Sequence, residues 1–157
     1  MKKKLDNLPL RDGVGIVVLN KSNKIFVGKR IDNPKNFWQM PQGGIDPGEE
    51  YLSAALRELK EETGIESVDL IKEIDELLTY ELPQNLLGII WKGKYRGQKQ
   101  KWFIMRFNGN DKEINLNTHK PEFMDWKWID ISDITKVAVS FKLEVYKKIQ
   151  KHLNLIF

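Results

Sequence analysis

The segment from Gly43 to Ile65, GGIDPGEEYLSAALRELKEETGI, constrains the fold of this chain more than any other part of it. Apolar residues recur at helical spacing from about Glu50 to Thr63. The stripe that they form consists of Leu52, Ala55, Leu56 and Leu59. Pro47-Gly48 interrupts the chain before this stripe, and Gly64 suits the left-handed residue that ends many helices. The sequence therefore predicts a loop, an amphipathic helix and a second loop.

Three carboxylates of this helix are predicted to share one face. Glu58, Glu61 and Glu62 stand at positions i, i+3 and i+4, which are neighbours at about 100° per residue. Each close like-charge pair destabilises an exposed helix by roughly 0.2–0.5 kcal/mol, and a cation bound between the carboxylates would remove that repulsion. Oxygen ligands without thiols favour Mg²⁺ or Mn²⁺ over zinc. The alternative is a solvated face whose charge Arg57 and Lys60 balance.

The composition limits the classes of protein to which the chain can belong. Its 157 residues predict one domain, residues 1–157, with a substantial core. The absence of cysteine excludes disulfides, thiol nucleophiles and cysteine-based metal sites, and two histidines, His119 and His152, argue against a histidine triad or a two-histidine zinc motif. No apolar run approaches the length of a membrane span, and Met1–Lys4 is not followed by a signal-peptide core. We therefore expect a cytoplasmic protein with no membrane association.

The net charge of +4 is unevenly distributed along the chain. Between Asp46 and Glu76, eleven acidic and three basic residues give a local net charge of −8, so the remaining residues carry +12. An acidic metal-binding segment in a basic remainder suits a polyphosphate substrate, because lysine and arginine can hold its outer phosphates and any attached nucleic acid. A general enrichment in lysine explains the overall charge equally well.

Outside this segment, predicted strands alternate with turn signals. Strands are predicted at Val14–Leu19, Lys24–Arg30, Leu87–Trp91, Trp102–Phe107 and Asp125–Ile129, with one long strand or two within Val68–Leu82. Lys21-Ser22-Asn23 is a turn that makes the first two strands a hairpin. Ser140 is a predicted N-cap for a closing helix that runs to about Leu153, with Val145 and Ile149 on its apolar face. Strands and helices mixed in this way predict an α/β fold, a sandwich around a mixed sheet.

Every fixed position of the Nudix box is matched by the segment described first. The matching residues are Gly43, Glu49, Arg57-Glu58-Leu59, Glu61-Glu62 and Gly64-Ile65. At average residue frequencies, such a match arises by chance with odds on the order of one in 10⁷. The chain therefore resembles the Nudix hydrolases, which cleave nucleoside diphosphates linked to another group. This resemblance implies an α/β/α sandwich around a mixed β-sheet, with the loop-helix-loop carrying the metal site.

The resemblance also implies roles for individual residues. Glu49 and Arg57 are implied to pair and to orient the site. Glu122 follows a long loop from Asn108 to Pro121, and it would supply a further metal ligand or the base that activates water. A surface acid is the alternative for Glu122. The implied cofactor is Mg²⁺, for which Mn²⁺ or another divalent cation can substitute, and the implied metal-site residues are Gly43, Glu58, Glu61, Glu62 and Glu122.

Segments outside the box resemble one subgroup, the bacterial RNA pyrophosphohydrolases and the related dinucleoside polyphosphate hydrolases. These segments are Trp38–Gly44, Tyr80–Pro83, Gly97–Phe103, Pro121–Phe123, Asp125–Trp128 and Val139–Lys142. The similarity runs from about Arg11 to the C-terminal helix, and the form at Tyr95–Phe103 is most similar to the alphaproteobacterial members. It implies 5′-triphosphorylated RNA or dinucleoside polyphosphates as substrates, acted on by a monomer or a weak dimer.

Several residues match substrate-binding positions of this subgroup. Arg11 and Arg30 match basic positions that hold 5′-phosphates, and Phe141 matches an aromatic residue that stacks on a base. The remaining candidates are Tyr80, Gln98, Lys99 and Lys101. Because alternate residues of a strand share a face, Lys99 and Lys101 are predicted to point together toward phosphates. The alternative is a strand edge that lysine keeps soluble, and a place in the core is the alternative for the aromatic residues.

The predicted activity is metal-assisted hydrolysis of a phosphoanhydride, in which Glu62 or Glu122 takes the proton of the attacking water. On RNA, this reaction converts a 5′-triphosphate or diphosphate end to a 5′-monophosphate and so starts mRNA decay. The alternatives are hydrolysis of diadenosine tetraphosphate, removal of damaged nucleoside triphosphates and a catalytically silent binding module. The complete set of carboxylates argues against a silent module.

Overall fold

The computed structural model describes residue 5 and residues 7–32, 35–118 and 121–157. Met1–Lys4, Asp6, Asn33, Pro34, His119 and Lys120 lie outside these residues. Across the described part of the chain, strands form a mixed sheet that separates two apolar clusters. Each cluster is covered by a helix, so the α/β sandwich expected from the sequence is confirmed.

Seven strands of the described residues form one sheet around the pair β1 and β6. The strands are β1 (Leu10–Leu19), β2 (Ile25–Arg30), β3 (Gln42–Gly44), β4 (Val68–Glu73), β5 (Leu78–Glu81), β6 (Gly97–Phe107) and β7 (Phe123–Ile129). The strand order is β4-β6-β1-β2-β7, while β3 pairs with β1 and β5 pairs with β6. β1 and β6 run parallel, and the other pairs are antiparallel. The sheet is therefore mixed, as predicted.

Two of the helices cover opposite faces of this sheet. The α-helices with bounds inside the described ranges are α1 (Tyr51–Thr63), α2 (Ile134–Val137) and α3 (Leu143–Ile156), and 3₁₀ turns occur there at Ile90–Gly93, Asp111–Glu113, Ile131–Asp133 and Ser140–Lys142. α1 shares an apolar cluster with Val14 and Phe103, whereas α3 shares the other with Val17 and Ile104. Alternate residues of β1 and β6 therefore contact different helices. None of the helices in the described ranges is long and apolar enough to cross a membrane.

The predicted strands are mostly present, and two of them are longer than expected. β1 begins at Leu10 and β6 at Gly97, because the two strands pair with each other from Leu10↔Gly97 to Leu19↔Arg106. The predicted hairpin is present, with the side chain of Asn20 accepting hydrogen bonds from the backbone of Ser22 and Lys24 at 3.0 and 2.9 Å. The segment from Val68 to Leu82 contains two strands rather than one.

The prediction of a strand at Leu87–Trp91 is wrong. The segment forms turns and a 3₁₀ turn, with Gly88 and Trp91 in the left-handed region at φ 82° and 50°. Left-handed residues cannot continue an extended strand. The apolar side chains that suggested a strand, such as Ile90, instead pack against the core cluster on the α3 side of the sheet.

Ser140 does not cap the closing helix, so that prediction is also wrong. Ser140 begins a 3₁₀ turn, makes no capping hydrogen bond, and is followed by α3 only at Leu143. The apolar face of this helix is confirmed, because Val145, Ile149 and Leu153 are buried. The extra turn carries Phe141 and Lys142 into the cleft described below.

The apolar stripe of α1 is rotated from its predicted position. Leu52 and Leu56 are 37% and 42% exposed, whereas Ala54, Ala55 and Leu59 are fully buried. Small alanine side chains let the helix lie close to the sheet, and the same contact buries Glu62. The predicted glycine stop is confirmed, because Gly64 has φ 75° and its N–H donates to the carbonyl of Lys60 at 2.9 Å.

We expect Gly64→Ala to destabilise the fold by roughly 1–2 kcal/mol, because a Cβ is disfavoured in the left-handed region. The added Cβ would also approach the backbone of Glu113 and Asn115 at 3.2 and 3.3 Å. Urea denaturation followed by circular dichroism measures the change. Gly48→Ala is a matched control, since Gly48 also has a positive φ but its Cβ would meet no atom within 4 Å. An equal loss in both variants would contradict the additional steric cost at Gly64.

Candidate active site

Arg57 connects the helix α1 to the loop that precedes it. Its guanidinium binds Glu49 through two hydrogen bonds, Nε–Oε2 at 2.8 Å and Nη2–Oε1 at 2.9 Å. Nη2 also donates to the backbone carbonyl of Gly44 at 3.1 Å. The hydrogen bonds from Arg57 lower the pKa of Glu49 to about 2, so this carboxylate stays ionised. The structure thus places Glu49 and Arg57 in the pair that the sequence suggested.

The same guanidinium also contacts two of the three helical carboxylates. Arg57 Nη1 donates to Glu58 Oε1 at 3.0 Å and to Glu61 Oε2 at 3.1 Å. The Glu58 side chain is largely buried and that of Glu61 is 56% exposed. One arginine therefore offsets part of the charge of three acids. This arrangement keeps Glu58 and Glu61 close together in spite of their mutual repulsion.

Glu62 carries a buried charge that protein atoms do not fully compensate. It is 2% exposed, and within the described residues its Oε2 has no hydrogen-bond partner. Burial raises the pKa of Glu62 well above its ordinary value, and the neighbouring charges of Glu58 and Glu122 add to this effect. Burial also raises the pKa of Glu58. Buried carboxylates without partners are costly, so this point of the structure favours binding of a cation.

Gly43 is required here because of space rather than backbone conformation. A Cβ on Gly43 would overlap the carboxylate of Glu58, and a Cβ on Gly44 would overlap the guanidinium of Arg11. Neither glycine is among those with positive φ. The carbonyl of Gly43 accepts a hydrogen bond from Gln98 Nε2 at 3.3 Å. The two glycines of β3 thus let an acid and a base approach the strand from different directions.

Glu122 lies near the other carboxylates but is bound to a different arginine. Its Oε2 is 3.6 Å from Arg30 Nη1, and its backbone carbonyl accepts from the N–H of Ile31 at 2.9 Å. Arg30 also makes two hydrogen bonds to Asp32, at 2.7 and 2.6 Å. These hydrogen bonds raise the pKa of Arg30 and lower that of Asp32. Arg30 is therefore held by two acids at the edge of the site.

The carboxylates fit a divalent cation by their chemistry, although they are not arranged around one. Among the described residues, no three acidic or histidine side chains form a ready metal-binding group. Glu58 and Glu61 face Arg57, and Glu122 faces Arg30. The buried Oε2 of Glu62 lacks a hydrogen-bond partner within the described part of the chain, and the available ligand atoms are oxygens, which Mg²⁺ and Mn²⁺ prefer. The donor set is therefore of the kind that binds these ions.

A cleft of about 840 Å³ begins at these carboxylates. Of the substrate-binding candidates, it is lined by Arg11, Arg30, Tyr80 and Phe141. Of the candidates for the metal site, Gly43, Glu58 and Glu122 line it, whereas Glu61 and Glu62 lie beside it. Other residues of its wall are not among the predicted site residues. They include Asp32, Lys35, Gln42, Trp91 and Lys142.

A chain of hydrogen bonds runs from the cleft into the core. Gln42 Nε2 donates to the hydroxyl of Tyr80 at 3.1 Å, and that hydroxyl donates to Gln98 Oε1 at 3.2 Å. Gln100 Nε2 also donates to Gln98 Oε1, and Trp102 Nε1 donates to Gln100 Oε1, both at 2.9 Å. Burial raises the pKa of Tyr80, which remains a neutral phenol. Gln98 therefore lies beneath the cleft wall and supports Tyr80 and Gly43.

Lys142 places a cation in the cleft wall, near enough to Glu62, Asp32 and Glu122 for their charges to oppose the effect of burial on its pKa. Its Nζ donates to Gln39 Oε1 at 3.0 Å and lies 5.4 and 5.8 Å from the ring centroids of Tyr80 and Phe141. Burial lowers the pKa of Lys142 to about 7, and the charge of Arg30 acts in the same direction. In the sequence, the signal for this residue was its position directly after Phe141, which alone does not distinguish it from a surface lysine.

Lys99 and Lys101 share one face of β6, as the alternation of a strand requires, but the cleft is on the other side. Lys101 Nζ is 2.9 Å from Glu73 Oε1 and donates to the carbonyl of Asp75 at 3.3 Å. Lys99 Nζ is 3.9 Å from Asp12 Oδ1. Neither lysine lines the cleft. The structure therefore does not bring these two candidates to the carboxylate site, whereas Gln98 is buried behind it and contacts Tyr80 and Gly43.

The family model for the NUDIX domain matches residues 9–149 of this chain. The chain is 69% identical to an RNA pyrophosphohydrolase of Pelagibacter ubique, over 96% of this chain and 95% of that protein. It is 48% identical to an RNA pyrophosphohydrolase of Wolbachia pipientis, over 93% and 90% of the two chains.

Solved structures show the same fold. A C. elegans Ap4A hydrolase binary complex has a TM-score of 0.67 and 26% identity, covering 92% of this chain and 98% of the other. The E. coli dihydroneopterin triphosphate pyrophosphohydrolase has a TM-score of 0.67 at 20% identity, covering 89% and 96% of the two chains. With the box residues gathered around Arg57 and the family model covering most of its length, this chain belongs to the Nudix family and is a Nudix hydrolase.

Proposed function

We propose that this enzyme is a divalent-cation-dependent RNA 5′-pyrophosphohydrolase that converts 5′-triphosphate or diphosphate ends to 5′-monophosphates. The observation that carries the proposal is one continuous cleft, lined both by the carboxylates Glu58 and Glu122 and by aromatic and cationic residues such as Phe141 and Lys142. Such a cleft can hold a polyphosphate and the nucleotide attached to it. The similarity to proteins named RNA pyrophosphohydrolase, over nearly the whole chain, supports the same substrate.

The carboxylates and the glycine strand supply the proposed metal site. Glu58, Glu61, Glu62, Glu122 and the carbonyl of Gly43 would hold Mg²⁺, for which Mn²⁺ or another divalent cation can substitute. When bound, the cation activates water as a Lewis acid and neutralises charge on the departing phosphate. Arg57, bound to Glu49, holds Glu58 and Glu61 close together beside the proposed metal site. The buried Oε2 of Glu62, which has no hydrogen-bond partner among the described residues, would provide an oxygen ligand.

Glu122 is better placed than Glu62 to act as the general base that takes the proton of the attacking water. It lines the cleft with 43% of its side chain exposed, whereas Glu62 is buried beneath the cleft wall. A base must reach the attacking water directly. Arg30, which lies 3.6 Å from Glu122, can stabilise the carboxylate and contact a phosphate oxygen through its remaining donors. Arg11, on the opposite side beside Gly44, would hold the outer phosphates.

The cleft wall at Phe141 would bind a nucleobase of the substrate. The rings of Tyr80 and Phe141 have centroids 5.7 Å apart, and the hydroxyl of Tyr80 is fixed by Gln42 and Gln98. Bases stack on aromatic faces with little regard to sequence. In this role the enzyme would start mRNA decay in the cytoplasm, acting as one Nudix domain over residues 1–157 and as a monomer or weak dimer.

A second candidate function is hydrolysis of dinucleoside polyphosphates. The observation in its favour is the similarity of fold and sequence to a C. elegans Ap4A hydrolase. A dinucleoside polyphosphate places a base at each end of the phosphates, and the same cleft could accept it.

A direct competition distinguishes the two functions. Purified enzyme with Mg²⁺ receives 5′-triphosphorylated RNA of several nucleotides together with diadenosine tetraphosphate, and kcat/KM is determined for each. We expect at least tenfold higher kcat/KM on the RNA, with a 5′-monophosphate end as product, which corresponds to about 1.4 kcal/mol of transition-state stabilisation. Faster cleavage of the dinucleotide would support the second function, and no turnover of either would contradict both.

We expect Glu62→Gln to lower turnover by orders of magnitude while leaving the protein folded. Because the change removes a buried charge, it should raise the melting temperature without divalent cations by about 2–4 °C, which corresponds to about 1 kcal/mol in a domain of this size. Added Mg²⁺ should stabilise the native protein but not the variant. Calorimetric melting with and without Mg²⁺ measures both effects.

Glu66→Gln is the matched control, since Glu66 is exposed and pairs with Lys60 just beyond the helix. It should change neither turnover nor the response to Mg²⁺. A lower melting temperature for Glu62→Gln in both conditions would instead show that Glu62 is a structural residue.

We expect Lys142 to make substrate binding dependent on pH. Its pKa near 7 is below the ordinary value, so the side chain is charged in the folded protein below about pH 7 and loses its proton above it. KM for triphosphorylated RNA should therefore rise several-fold between pH 6 and pH 8. Lys142→Arg keeps the charge across this range, and its KM should vary less with pH. Identical pH profiles of KM for the two proteins would contradict this role.

A further inference from the structure

We propose that Trp91, paired with Arg11, forms a second base-binding platform in the cleft, separate from the platform at Phe141. The inference rests on the proposed function, in which Phe141 and Tyr80 receive one base of the substrate. The ligand of the second platform is the base of another nucleoside joined to the same phosphates or to the same RNA chain. No residue of the Nudix box takes part in it.

Trp91 lies in the wall of the same cleft as Phe141. The guanidinium carbon of Arg11 is 5.3 Å from the centroid of the indole ring, which is cation–π distance. Arg11 reaches from this ring to the backbone of Gly44, beside the carboxylates. The pair therefore offers a flat, cationic, aromatic surface next to the place where phosphates would bind.

The backbone at this position is held in a conformation that residues with side chains rarely adopt. Trp91 has φ 50° and ψ 38°, and Lys92 has φ 58° and ψ 26°. Two consecutive left-handed residues that are not glycine are unusual, and such strain persists where the surroundings enforce it, often at ligand sites. A connection that served only to join β5 to β6 could use glycine or asparagine here. The observed conformation turns the indole ring into the cleft wall.

Neighbouring side chains fix the ring in place. Tyr95 contacts the indole edge-on, with centroids 6.2 Å apart and an interplanar angle of 77°. Leu86 and Ile90 line the same wall and pack against the core, which anchors the loop. Ile89 is 68% exposed and is not part of the wall, so it can be changed without touching the platform. The indole is thus preorganised rather than free to rotate in solvent.

The chemistry of this surface selects a nucleobase. Bases stack on aromatic faces and on guanidinium planes, and the contribution per base is large enough to decide affinity. The cleft volume of about 840 Å³ lies toward the upper end of the range of roughly 300–1,000 Å³ for ligand sites, which leaves room for more than one base. Two sources can supply the second base, namely a following nucleotide of an RNA or the second adenosine of a dinucleoside polyphosphate.

The test compares substrates with one base and with two. KM and kcat are measured with Mg²⁺ for a 5′-triphosphorylated trinucleotide RNA and diadenosine tetraphosphate, which have at least two bases, and for adenosine 5′-tetraphosphate, which has one. The proteins are the native chain, Trp91→Ala, Trp91→Phe and the control Ile89→Ala. We expect Trp91→Ala to raise KM roughly 5- to 150-fold for a substrate with two bases, with kcat little changed. Trp91→Phe and the control should stay near the native values.

The substrate that loses affinity identifies the source of the second base. The substrate with one base should be unaffected by Trp91→Ala, and an equal loss on all three substrates would overturn the proposal, because the indole would then act on the fold. An unchanged KM on all three would overturn it as well. If Trp91→Ala does not fold, as judged by circular dichroism, Trp91→Gly removes the ring while accepting the left-handed backbone.

Binding distinguishes failure of this inference from failure of the proposed function. Calorimetric titration with diadenosine tetraphosphate and adenosine 5′-tetraphosphate measures their binding affinities without turnover. If the native chain cleaves neither RNA nor dinucleotide, the proposed function fails, yet weaker binding of the dinucleotide alone by Trp91→Ala would still support the platform. Equal binding of the dinucleotide by both proteins would overturn it.

Discussion

The structure depends on the way in which a single guanidinium, that of Arg57, holds several acids together. It contacts Glu49 and Gly44 in the loop and Glu58 and Glu61 on the helix. A planar fork with five donors can reach these oxygens at once, whereas a lysine could offer only a point charge. Without this contact, the like charges would repel each other and the loop would lose its connection to the helix. The same contact reaches β3 through Gly44, and the residues of β3 line the cleft.

Close packing at β3 explains why the box requires glycine at a position with ordinary backbone angles. The Glu58 carboxylate occupies the space of a side chain at Gly43, and the Arg11 guanidinium occupies that at Gly44. The helix α1 supplies the acidic side chain of Glu58, and β1 supplies the basic side chain of Arg11. β6 supports this region through Gln98, which lies beside both Gly13 and Gly43. A spacing pattern within one short segment thus depends on residues from the beginning and the middle of the chain.

The sequence predicted what depends on local spacing. The limits of α1, its glycine stop and the proximity of Glu58 and Glu61 follow from helical periodicity, and the structure has them. Periodicity could not reveal that Gly88 and Trp91 adopt left-handed angles, so an apolar run was interpreted as a strand. Alternation placed Lys99 and Lys101 on one face of β6 correctly.

The side of the sheet that faces the cleft depends on tertiary packing, and the sequence of a single strand does not specify it. Lys142 was missed for the same reason. Its burial against Gln39 and Tyr80 arises from a turn whose position no local pattern specified. Residues that become functional only through distant contacts are therefore the ones that local spacing leaves out, whereas the helical carboxylates, which share one short segment, were found.

Two buried side chains, Lys142 in the cleft wall and Glu62 beside it, carry charges of opposite sign that lack full compensation. Glu62 has an oxygen without a partner among the described residues. Lys142 donates to the amide of Gln39, and the charges of Glu62, Asp32 and Glu122 offset only part of the effect of its burial. Burial disfavours the charged form of each, as the raised pKa of Glu62 and the lowered pKa of Lys142 show. A fold selected for stability alone would replace both with apolar side chains. Their retention is explained if ligands complete them, with a cation at Glu62 and the anionic or carbonyl groups of a nucleotide at Lys142. The same reasoning applies to the strained backbone at Trp91. Packing around its indole ring, which lines the cleft, maintains this unfavourable backbone conformation.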